Sequence, residues 1–352
     1  MPIIPLYGHA ALRERFAAQL QRGALPASLL FEGAPGIGKQ RLALWLGQRL
    51  LCEQPDAPCG GCQHCQYASA LAHPDLTWVF PRPRVKDSAD IALDEVQSEV
   101  AEAMGERAKA SGLYARPSGS EGIYVYIARW LVQRATLSPA LARRKVIIIG
   151  EAERMVPQAG NAEAANAFLK LLEEPPADTT IILTSSEPGA LLPTIRSRVV
   201  AVRVPPVSAT DLRSFLANPA VSESLGAGDV DARVAAARGA PGALIGASGD
   251  AKSRERAEEL LAAARASADR RYRVAFSQST KGARGGFSDT LDALTVALHE
   301  RAHRVARADD GAGARAVSRA ILAVEEAKRA AQGNASPQLV AWSLLDALSE
   351  VP

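Results

Sequence analysis

The amino-acid sequence predicts an α/β protein in which a parallel-sheet domain is followed by helices alone. The 352 residues exceed what one hydrophobic core usually holds, so more than one domain is expected. Apolar, strand-like segments alternate with helical segments as far as Pro206, which favours parallel strands joined by right-handed crossovers. Beyond that residue the β-branched runs stop and helical patterns continue. We therefore predict domains at residues 1–206, 207–249 and 250–352.

Four continuous apolar segments predict the buried strands of the sheet. Residues 28–33 read Ser-Leu-Leu-Phe-Glu-Gly and run into a glycine-rich loop. Residues 145–150 read Lys-Val-Ile-Ile-Ile-Gly, a β-branched run typical of a strand covered on both faces. The other two segments are residues 179–185 and 199–204.

Helical periodicity fills the intervals between these strands. It is clearest at residues 39–51, where leucines recur every four residues. Further helices are predicted near residues 91–104, 123–135 and 161–172, and the last of these is ended by a Pro-Pro pair. Glycine, serine and proline predict an exposed loop at residues 111–122.

Short helices are predicted within residues 207–249, and longer, alanine-rich helices follow. Ser336 as N-cap and Pro337 at the first helical position mark the start of the last helix. Residues 277–287 resemble a flexible loop. No internal repeat is evident.

Composition and charge restrict the class of protein. Hydrophobic residues make up 47% and charged residues 22%, as in soluble globular proteins. The 41 basic and 38 acidic residues leave a net charge of +3, which does not mark a dedicated nucleic-acid binder. No apolar run approaches the roughly 20 residues that cross a bilayer, and the first residues lack a secretory pattern. We expect a cytoplasmic protein without membrane contact.

Residues 33–39 read Gly-Ala-Pro-Gly-Ile-Gly-Lys and fit a phosphate-binding loop between a strand and a helix. Glycines let backbone N–H groups converge on phosphate oxygens, the helix N-terminus favours negative charge, and the lysine supplies a cation. The candidate phosphate-binding residues are Gly33, Gly36, Gly38 and Lys39.

Both groups that would organise Mg²⁺ beside this loop are absent. Gln40 stands where a serine or threonine hydroxyl would bind the metal, and Gly150 stands where an acidic residue would end its strand. Because Mg²⁺ neutralises charge between the β- and γ-phosphates, losing both groups disables phosphoryl transfer. We expect no Mg²⁺ site, and a vestigial loop is favoured over a working ATPase. Binding of ATP or ADP without hydrolysis remains open, since Lys39 is retained.

All four cysteines fall in one short window, at Cys52, Cys59, Cys62 and Cys65. Four thiolates at these spacings can surround one tetrahedral Zn²⁺, and such closed sites are structural because no position remains for a substrate. His64 is an alternative ligand for one position. Buried free thiols or an iron–sulfur cluster are the other interpretations.

Two further motifs complete a specific pattern. Residues 165–176 read Ala-Asn-Ala-Phe-Leu-Lys-Leu-Leu-Glu-Glu-Pro-Pro, and residues 191–198 read Leu-Leu-Pro-Thr-Ile-Arg-Ser-Arg. Together with the glycine loop and the cysteines, they resemble the subunits of bacterial clamp loaders. The resemblance covers most of residues 1–205, and residues 334–348 are similar to the last helix of the family's collar. It implies an AAA+ RecA-like sheet domain with a zinc module, a small helical lid and an all-α collar domain.

The resemblance also implies roles for individual residues. Arg198 corresponds to an arginine finger that acts in trans on a neighbour's ATP; the alternative is a surface arginine ending a helix. Thr184 resembles the first sensor of the family and joins Gln40 among the candidate nucleotide-site residues; the alternative is an ordinary strand residue. Gly242 stands at the place of a sensor arginine, and Val199 stands where a cysteine often follows the finger.

The family contains ATP-hydrolysing and non-hydrolysing subunits, and the losses at Gln40, Gly150 and Gly242 make the resemblance imply a largely non-hydrolysing subunit of the DNA polymerase III clamp loader. Its expected partners are the gamma/tau and delta subunits, with the sliding clamp and primed DNA reached through the assembly. An ATP-hydrolysing subunit of the same loader is the alternative, and it calls for a hydroxyl at position 40 and an acid at position 150. An unrelated nucleotide kinase would leave the cysteines unexplained. A small basic cluster, Arg82, Arg84 and Lys86, is interpreted as a solvated loop and not as a DNA contact.

Overall fold

The computed structural model describes residues 2–83, 91–114, 121–155, 162–245, 251–278, 283–308, 310–332 and 335–351. The chain divides into two compact units. The first comprises residues 1–116 and 122–246, and the second comprises residues 247–352 with 117–121. The predicted boundaries at residues 206 and 249 remain predictions.

One parallel sheet lies at the centre of the first unit. Its strands are β1 (Ser28–Glu32), β2 (Leu76–Val79), β3 (Lys145–Ile149), β4 (Thr179–Ser185) and β5 (Val200–Arg203). They are arranged in the order β2-β3-β4-β1-β5, and every pair is parallel. The predicted α/β class is therefore confirmed. Strand β2 was not predicted, because four residues next to the cysteine segment give too short a pattern.

The register of the sheet places the strand ends, and the loops that follow them, side by side. Phe31 lies opposite Thr184 on β4, and Ile149 lies opposite Leu183. Strands β3 and β4 are buried along their whole length, as their continuous apolar runs predict. The predicted strand at residues 199–204 forms β5, but the prediction that it is buried is wrong, because it lies at the edge of the sheet; it is mostly exposed, and half of Val200 is accessible. The carboxyl ends of β1, β3 and β4 thus form one edge, where the glycine loop begins.

Ten helices of the first unit surround or follow this sheet in the described residues. They are α1 (Ala10–Gln21), α2 (Lys39–Leu51), α3 (Gln63–Ser69), α4 (Leu93–Lys109), α5 (Val125–Thr136), α6 (Ala162–Glu173), α7 (Pro193–Arg196), α8 (Ala209–Leu216), α9 (Pro219–Leu225) and α10 (Val230–Ala237). The predicted helices at α2, α4, α5 and α6 are confirmed, with ends shifted by a few residues. Apolar side chains from both sheet faces form the core, where Phe16 stacks on Phe31 at 5.4 Å between ring centroids.

The described residues of the second unit form five helices. They are α11 (Ala251–Ala264), α12 (Ala268–Phe276), α13 (Ala283–Arg307), α14 (Gly311–Gln332) and α15 (Pro337–Leu348). Leu260, Leu294, Val317 and Leu345 are fully buried in its core. The last helix begins at Pro337 as predicted, although the side chain of Ser336 makes no capping hydrogen bond.

The predicted loop at residues 277–287 is wrong for its second half. Helix α13 already begins at Ala283, despite the two glycines in its first turn. Tertiary packing overrides their low helix propensity, because Phe287 in the next turn is buried in the core of the second unit. Residues 279–282 lie outside the described residues.

Among the described residues, no helix combines the length and the apolar character that a bilayer crossing requires.

Candidate functional site

The glycine loop joins β1 to α2 in the conformation that its glycines permit. Gly36 and Gly38 have φ angles of 76° and 96°, a region that side chains disfavour. An added Cβ at Gly33 would lie 2.6 Å from the carbonyl oxygen of Val204, so this position also excludes a side chain. The loop geometry therefore depends on the glycines themselves.

Lys39, the candidate phosphate ligand, is turned onto the protein. Its ammonium donates to the carbonyl oxygens of Gly33 and Ala34 at 2.8 Å each, and to the hydroxyl of Ser186 at 2.9 Å. An ammonium has three donors, and these three acceptors account for all of them. The lysine side chain is also buried. A phosphate would have to displace internal partners to reach this charge.

Gln40 and Gly150, the two departures from a magnesium site, fit each other. The side-chain oxygen Oε1 of Gln40 accepts a hydrogen bond from Trp78 Nε1 at 3.0 Å and one from Arg107 Nη1 at 3.5 Å. A Cβ at position 150 would lie 2.3 Å from that same oxygen. The amide therefore occupies the space that any side chain at position 150 would need. The two departures form one packing arrangement.

Arg107 of α4 is a participant that sequence reasoning missed. Its guanidinium carbon lies 3.1 Å from the ring centroid of Phe80, 3.6 Å from that of Tyr114 and 4.5 Å from that of Trp78. These aromatic faces stabilise a buried cation. A fixed positive charge thus lies beside Gln40, close to where a magnesium ligand would stand. Trp78 and Phe80 lie on and just after β2, and Tyr114 follows α4, so the cage forms only in the folded chain and no local motif indicates it.

The helical segment after β5 closes onto the loop. The backbone N–H of Gly242 donates to the carbonyl oxygen of Gly36 at 2.9 Å, and a Cβ at Gly242 would lie 2.8 Å from the Cα of Gly36. Position 242, predicted to take the place of a sensor arginine, therefore has no room for a side chain in this arrangement.

The other predicted sensor, Thr184, is fully buried at the end of β4. Its hydroxyl accepts a hydrogen bond from the backbone N–H of Glu151 at 3.1 Å. The carboxylate of Glu151 pairs with Arg154 at 3.1 Å. These contacts link the ends of β3 and β4.

His9 contacts the loop from the N-terminal side. Its Nε2 atom lies 2.9 Å from the carbonyl oxygen of Ile37, in a buried position. Burial lowers the pKa of His9, although the bond to Ile37 and the charge of Asp211 act in the opposite direction. The neutral ring is therefore part of the packing behind the loop.

The four cysteines converge on one point, as their spacing predicts. Cys52 follows α2, Cys59 and Cys62 lie in the next loop, and Cys65 is in α3. All four Sγ atoms lie within 4.8 Å of one another; Cys52 and Cys62 are 3.8 Å apart, and Cys59 and Cys65 are 4.0 Å apart. A tetrahedral ion with Zn–S bonds of about 2.3 Å places its sulfurs about 3.8 Å apart. The donor set and its spacing thus fit a metal ion.

The thiols of this cluster have divergent acidities. Burial raises the pKa of Cys65 to about 12 and also raises that of Cys62. The backbone N–H groups of Cys62 and Gly61 lower the pKa of Cys59 to about 6. Buried thiolates need a neighbouring cation, and a divalent ion supplies one.

His64 is not directed at this cluster. Its Nδ1 atom lies 3.0 Å from Nε2 of His73, and Nδ1 of His73 accepts a hydrogen bond from the backbone N–H of Asp75. Among the described residues, the group that can hold a metal consists of the four cysteines alone.

Arg198 lies just beyond α7, at the exposed edge of the first unit. Its Nε donates to Glu173 Oε2 at 3.0 Å, and its Nη1 donates to the carbonyl oxygen of Thr194 at 3.0 Å and lies 3.5 Å from Ser197 Oγ. The arginine side chain is 29% exposed. Unlike Lys39, this cation is accessible from solvent.

The basic cluster interpreted as a loop is only partly described. Arg82 donates to the carbonyl oxygen of Glu99 at 2.6 Å and lies 3.7 Å from its carboxylate, so its charge is engaged within the protein. Arg84 and Lys86 lie outside the described residues.

Comparison with known proteins gives one family and a consistent set of relatives. The model of the family described as "DNA polymerase III, delta subunit" matches residues 8–208. The DNA polymerase III subunit delta' of Pseudomonas aeruginosa is 35% identical over 178 residues, which are 50% of this chain and 42% of that protein. The subunit delta' of Escherichia coli is 33% identical over 187 residues, which are 53% of this chain and 44% of that protein.

A gamma/tau subunit is also similar. The DNA polymerase III subunit gamma/tau of Mycobacterium bovis is 33% identical over 181 residues, 51% of this chain and 24% of that protein. A solved structure of a gamma subunit-related protein of Thermotoga maritima covers 95% of this chain and 98% of its own, with 17% identity and a TM-score of 0.43. The matched segments thus span less than half the length of these three sequence relatives.

Proposed function

The chain belongs to the DNA polymerase III delta subunit family, and from that premise we propose that it is a delta-prime-type subunit of a bacterial clamp loader. In this role it completes a ring with gamma/tau and delta subunits and helps to load the sliding clamp onto primed DNA during replication. The contrast between its closed glycine loop and its accessible Arg198 carries the proposal. We also infer that it works in the cytoplasm, where replication proteins of bacteria act.

The subunit is proposed not to hydrolyse ATP itself. Hydrolysis requires a lysine available to the phosphates and two groups that hold Mg²⁺. Lys39 donates hydrogen bonds to three internal acceptors. The side-chain oxygen of Gln40 accepts a hydrogen bond from Trp78, and Gly150 has no side chain that could bind the metal. The contact between Gly242 and Gly36 adds a backbone obstruction. These observations favour weak or absent binding of ATP and ADP.

Arg198 is proposed to act on the ATP of a neighbouring subunit. A guanidinium is permanently charged and can fork onto phosphate oxygens, so it stabilises charge that develops during phosphoryl transfer. Its partial exposure at the edge of the first unit supports this role. The chain would therefore serve hydrolysis in trans while lacking it in cis.

Zinc is proposed as the metal of the four-cysteine cluster, held by Cys52, Cys59, Cys62 and Cys65. Zinc would cross-link α2, the following loop and α3, and its role would be structural because four protein ligands leave no open position. Purified native chain should contain one zinc ion by mass spectrometry. Cys65→Ser should lose the metal and lower the melting temperature, whereas His64→Gln should retain it. Retention by Cys65→Ser and loss by His64→Gln would overturn this ligand set.

Two experiments test the proposed function as a whole. Coexpression with gamma/tau and delta subunits should give one stable complex by size-exclusion chromatography with light scattering. The isolated chain should show no ATP hydrolysis and no tight binding of ATP by calorimetry. The similarity to gamma/tau subunits keeps one alternative open, an ATP-hydrolysing subunit of the same loader. Robust hydrolysis by the isolated chain would favour that alternative and contradict our proposal.

A further inference from the structure

We propose that Glu173 is a positioning residue for Arg198, an inference that rests on the proposed action of Arg198 on a neighbour's ATP. Glu173 is the last residue of α6, and its Oε2 accepts the hydrogen bond from Arg198 Nε at 3.0 Å. The carboxylate thus contacts the guanidinium on one side. Arginine–carboxylate pairs of this kind are directional as well as attractive.

The contacts of Arg198 leave one end of the guanidinium open. Glu173 engages Nε, and Thr194 engages Nη1 through its carbonyl oxygen. Among the described residues, Nη2 makes no hydrogen bond. Two of the three guanidinium nitrogens are therefore held, and the N–H groups of Nη2 keep no partner among the described residues. An approaching phosphate would meet a guanidinium whose orientation is already set.

The backbones that carry this pair are both anchored in the core. Leu172, next to Glu173, is buried, and its carbonyl oxygen accepts a hydrogen bond from Ser28 Oγ on β1 at 2.9 Å. Ile195, at the centre of α7, is also buried. Glu173 and Arg198 therefore project from fixed points of the sheet domain, and the pair sets the direction of the arginine relative to the sheet.

The electrostatics explain why a carboxylate at this position needs the arginine. The C-terminal end of a helix carries partial negative charge, so Glu173 at the end of α6 is locally unfavourable without a cation nearby. The carboxylate is 56% exposed, and water screens the attraction. The pair is consequently weak enough for Nη2 and Nη1 to adjust to a phosphate, yet it restricts the rotamers that Arg198 samples. We expect an effect on rate and little effect on folding.

The next residue supplies a matched control. Glu174 is exposed and carries the same charge, but it has no ion-pair partner within the described part of the chain. Removing either carboxylate changes the net charge equally. Only Glu173→Ala removes the contact with Arg198.

The test uses the loader reconstituted with clamp and primed DNA, with each variant checked for melting temperature and incorporation. Arg198→Ala first defines the share of ATP hydrolysis that depends on the arginine. We expect Glu173→Ala to lower the kcat of the Arg198-dependent ATP hydrolysis by about three- to tenfold, while KM for ATP stays unchanged. The reason is that misdirection of a catalytic group acts on the transition state. Glu173→Gln, which keeps an acceptor oxygen, should have a smaller effect, and Glu174→Ala should have none.

A double variant separates the possible failures. If Glu173 acts through the arginine, Glu173→Ala should cause no further loss in the Arg198→Ala background. Full activity of Glu173→Ala beside an impaired Arg198→Ala would overturn this inference and leave the proposed function standing. A further loss in the double variant would overturn it too, because Glu173 would then act independently. Full activity of Arg198→Ala would instead refute the action in trans, and the positioning role with it.

Discussion

The glycine loop and the exposed edge that carries Arg198 lie on the same sheet domain, yet their cations differ in burial and in hydrogen bonding. Lys39 is buried, and its three donors are bonded to the protein itself. Arg198 is partly exposed, and its Nη2 atom makes no hydrogen bond with any described residue. The groups that would serve the chain's own nucleotide are engaged internally, whereas the group that would serve a neighbour stays accessible. A retained motif therefore has to be judged by what its donors already contact.

The largest effect is expected where the loop is most tightly filled. Gly150→Asp restores an acid at position 150 but brings its Cβ to 2.3 Å from Gln40 Oε1. The contacted atoms belong to the end of the Gln40 side chain, which can move away only by giving up its hydrogen bonds with Trp78 and Arg107. We therefore expect a loss of about 2–3 kcal/mol in the free energy of unfolding. Urea denaturation measures this loss.

Two further variants make this prediction specific. Gln40→Thr shortens the opposing side chain, so the Gln40→Thr/Gly150→Asp double variant should regain most of the lost stability. Gly189→Asp is the control, because no atom lies within 4 Å of the added Cβ there, and we expect a change within about 0.5 kcal/mol. Equal losses at positions 150 and 189 would contradict the packing of Gln40 against Gly150. Return of ATP hydrolysis in the double variant would mean that the loop is only two residues away from activity.

The aromatic cage predicts the next largest effect. Arg107→Ala removes a buried cation from three aromatic faces and leaves a cavity, so we expect a loss of about 2 kcal/mol in unfolding free energy. Lys109→Ala, an exposed position on the same helix, should change little. Glu173→Ala at the exposed edge should cost less than about 1 kcal/mol, as exposed ion pairs do. If Arg107→Ala and Glu173→Ala lose the same amount, the two regions do not differ as we describe.

The smallest effect is the part of the pH dependence of stability that comes from His9. Burial lowers the pKa of His9 in the folded chain, so the unfolded chain binds the proton more readily. The stabilisation by neutral His9 is fully present above its ordinary pKa, near 6.5, and is lost as the pH falls below that value. His9→Asn, which tolerates the left-handed backbone at this position, should flatten this part of the stability profile.

The control for this profile must account for a second histidine. Burial also lowers the pKa of His73, which adds a dependence of the same sign. The quantity to compare is therefore the difference in free energy of unfolding between the parent chain and His9→Asn, measured across pH 5 to 8. An unchanged profile in His9→Asn would show that His9 does not contribute.

Much of the fold was accessible from the sequence because its signals are local. The β-branched run of β3, the leucine periodicity of α2 and the Ser-Pro start of α15 each lie within one segment. The cysteine cluster was accessible for the same reason, since its ligands fall within fourteen consecutive positions, 52–65. The short strand β2 and the glycine-rich start of α13 could not be predicted from the sequence, because tertiary packing determines their secondary structure.

The state of the loop could not be predicted, because it depends on residues that are distant in sequence. Ser186 is 147 positions from Lys39 and becomes its partner only through the pairing of β1 with β4. Arg107 is 67 positions from Gln40, and nothing local links them. Sequence patterns indicated which magnesium groups are missing; the structure adds what fills their place. Likewise, the sequence showed the motif that contains Glu173, but it could not predict the contact of Glu173 with Arg198.

The most direct test of our account compares Lys39→Ala with Arg198→Ala in the reconstituted loader. ATP hydrolysis is measured with clamp and primed DNA present, after both variants are shown to fold and to enter the complex. We predict that Lys39→Ala leaves hydrolysis at the level of the parent loader, whereas Arg198→Ala lowers it sharply, since an arginine finger contributes on the order of 10³ or more to its own site. A sharp loss with Lys39→Ala beside full activity of Arg198→Ala would contradict the account.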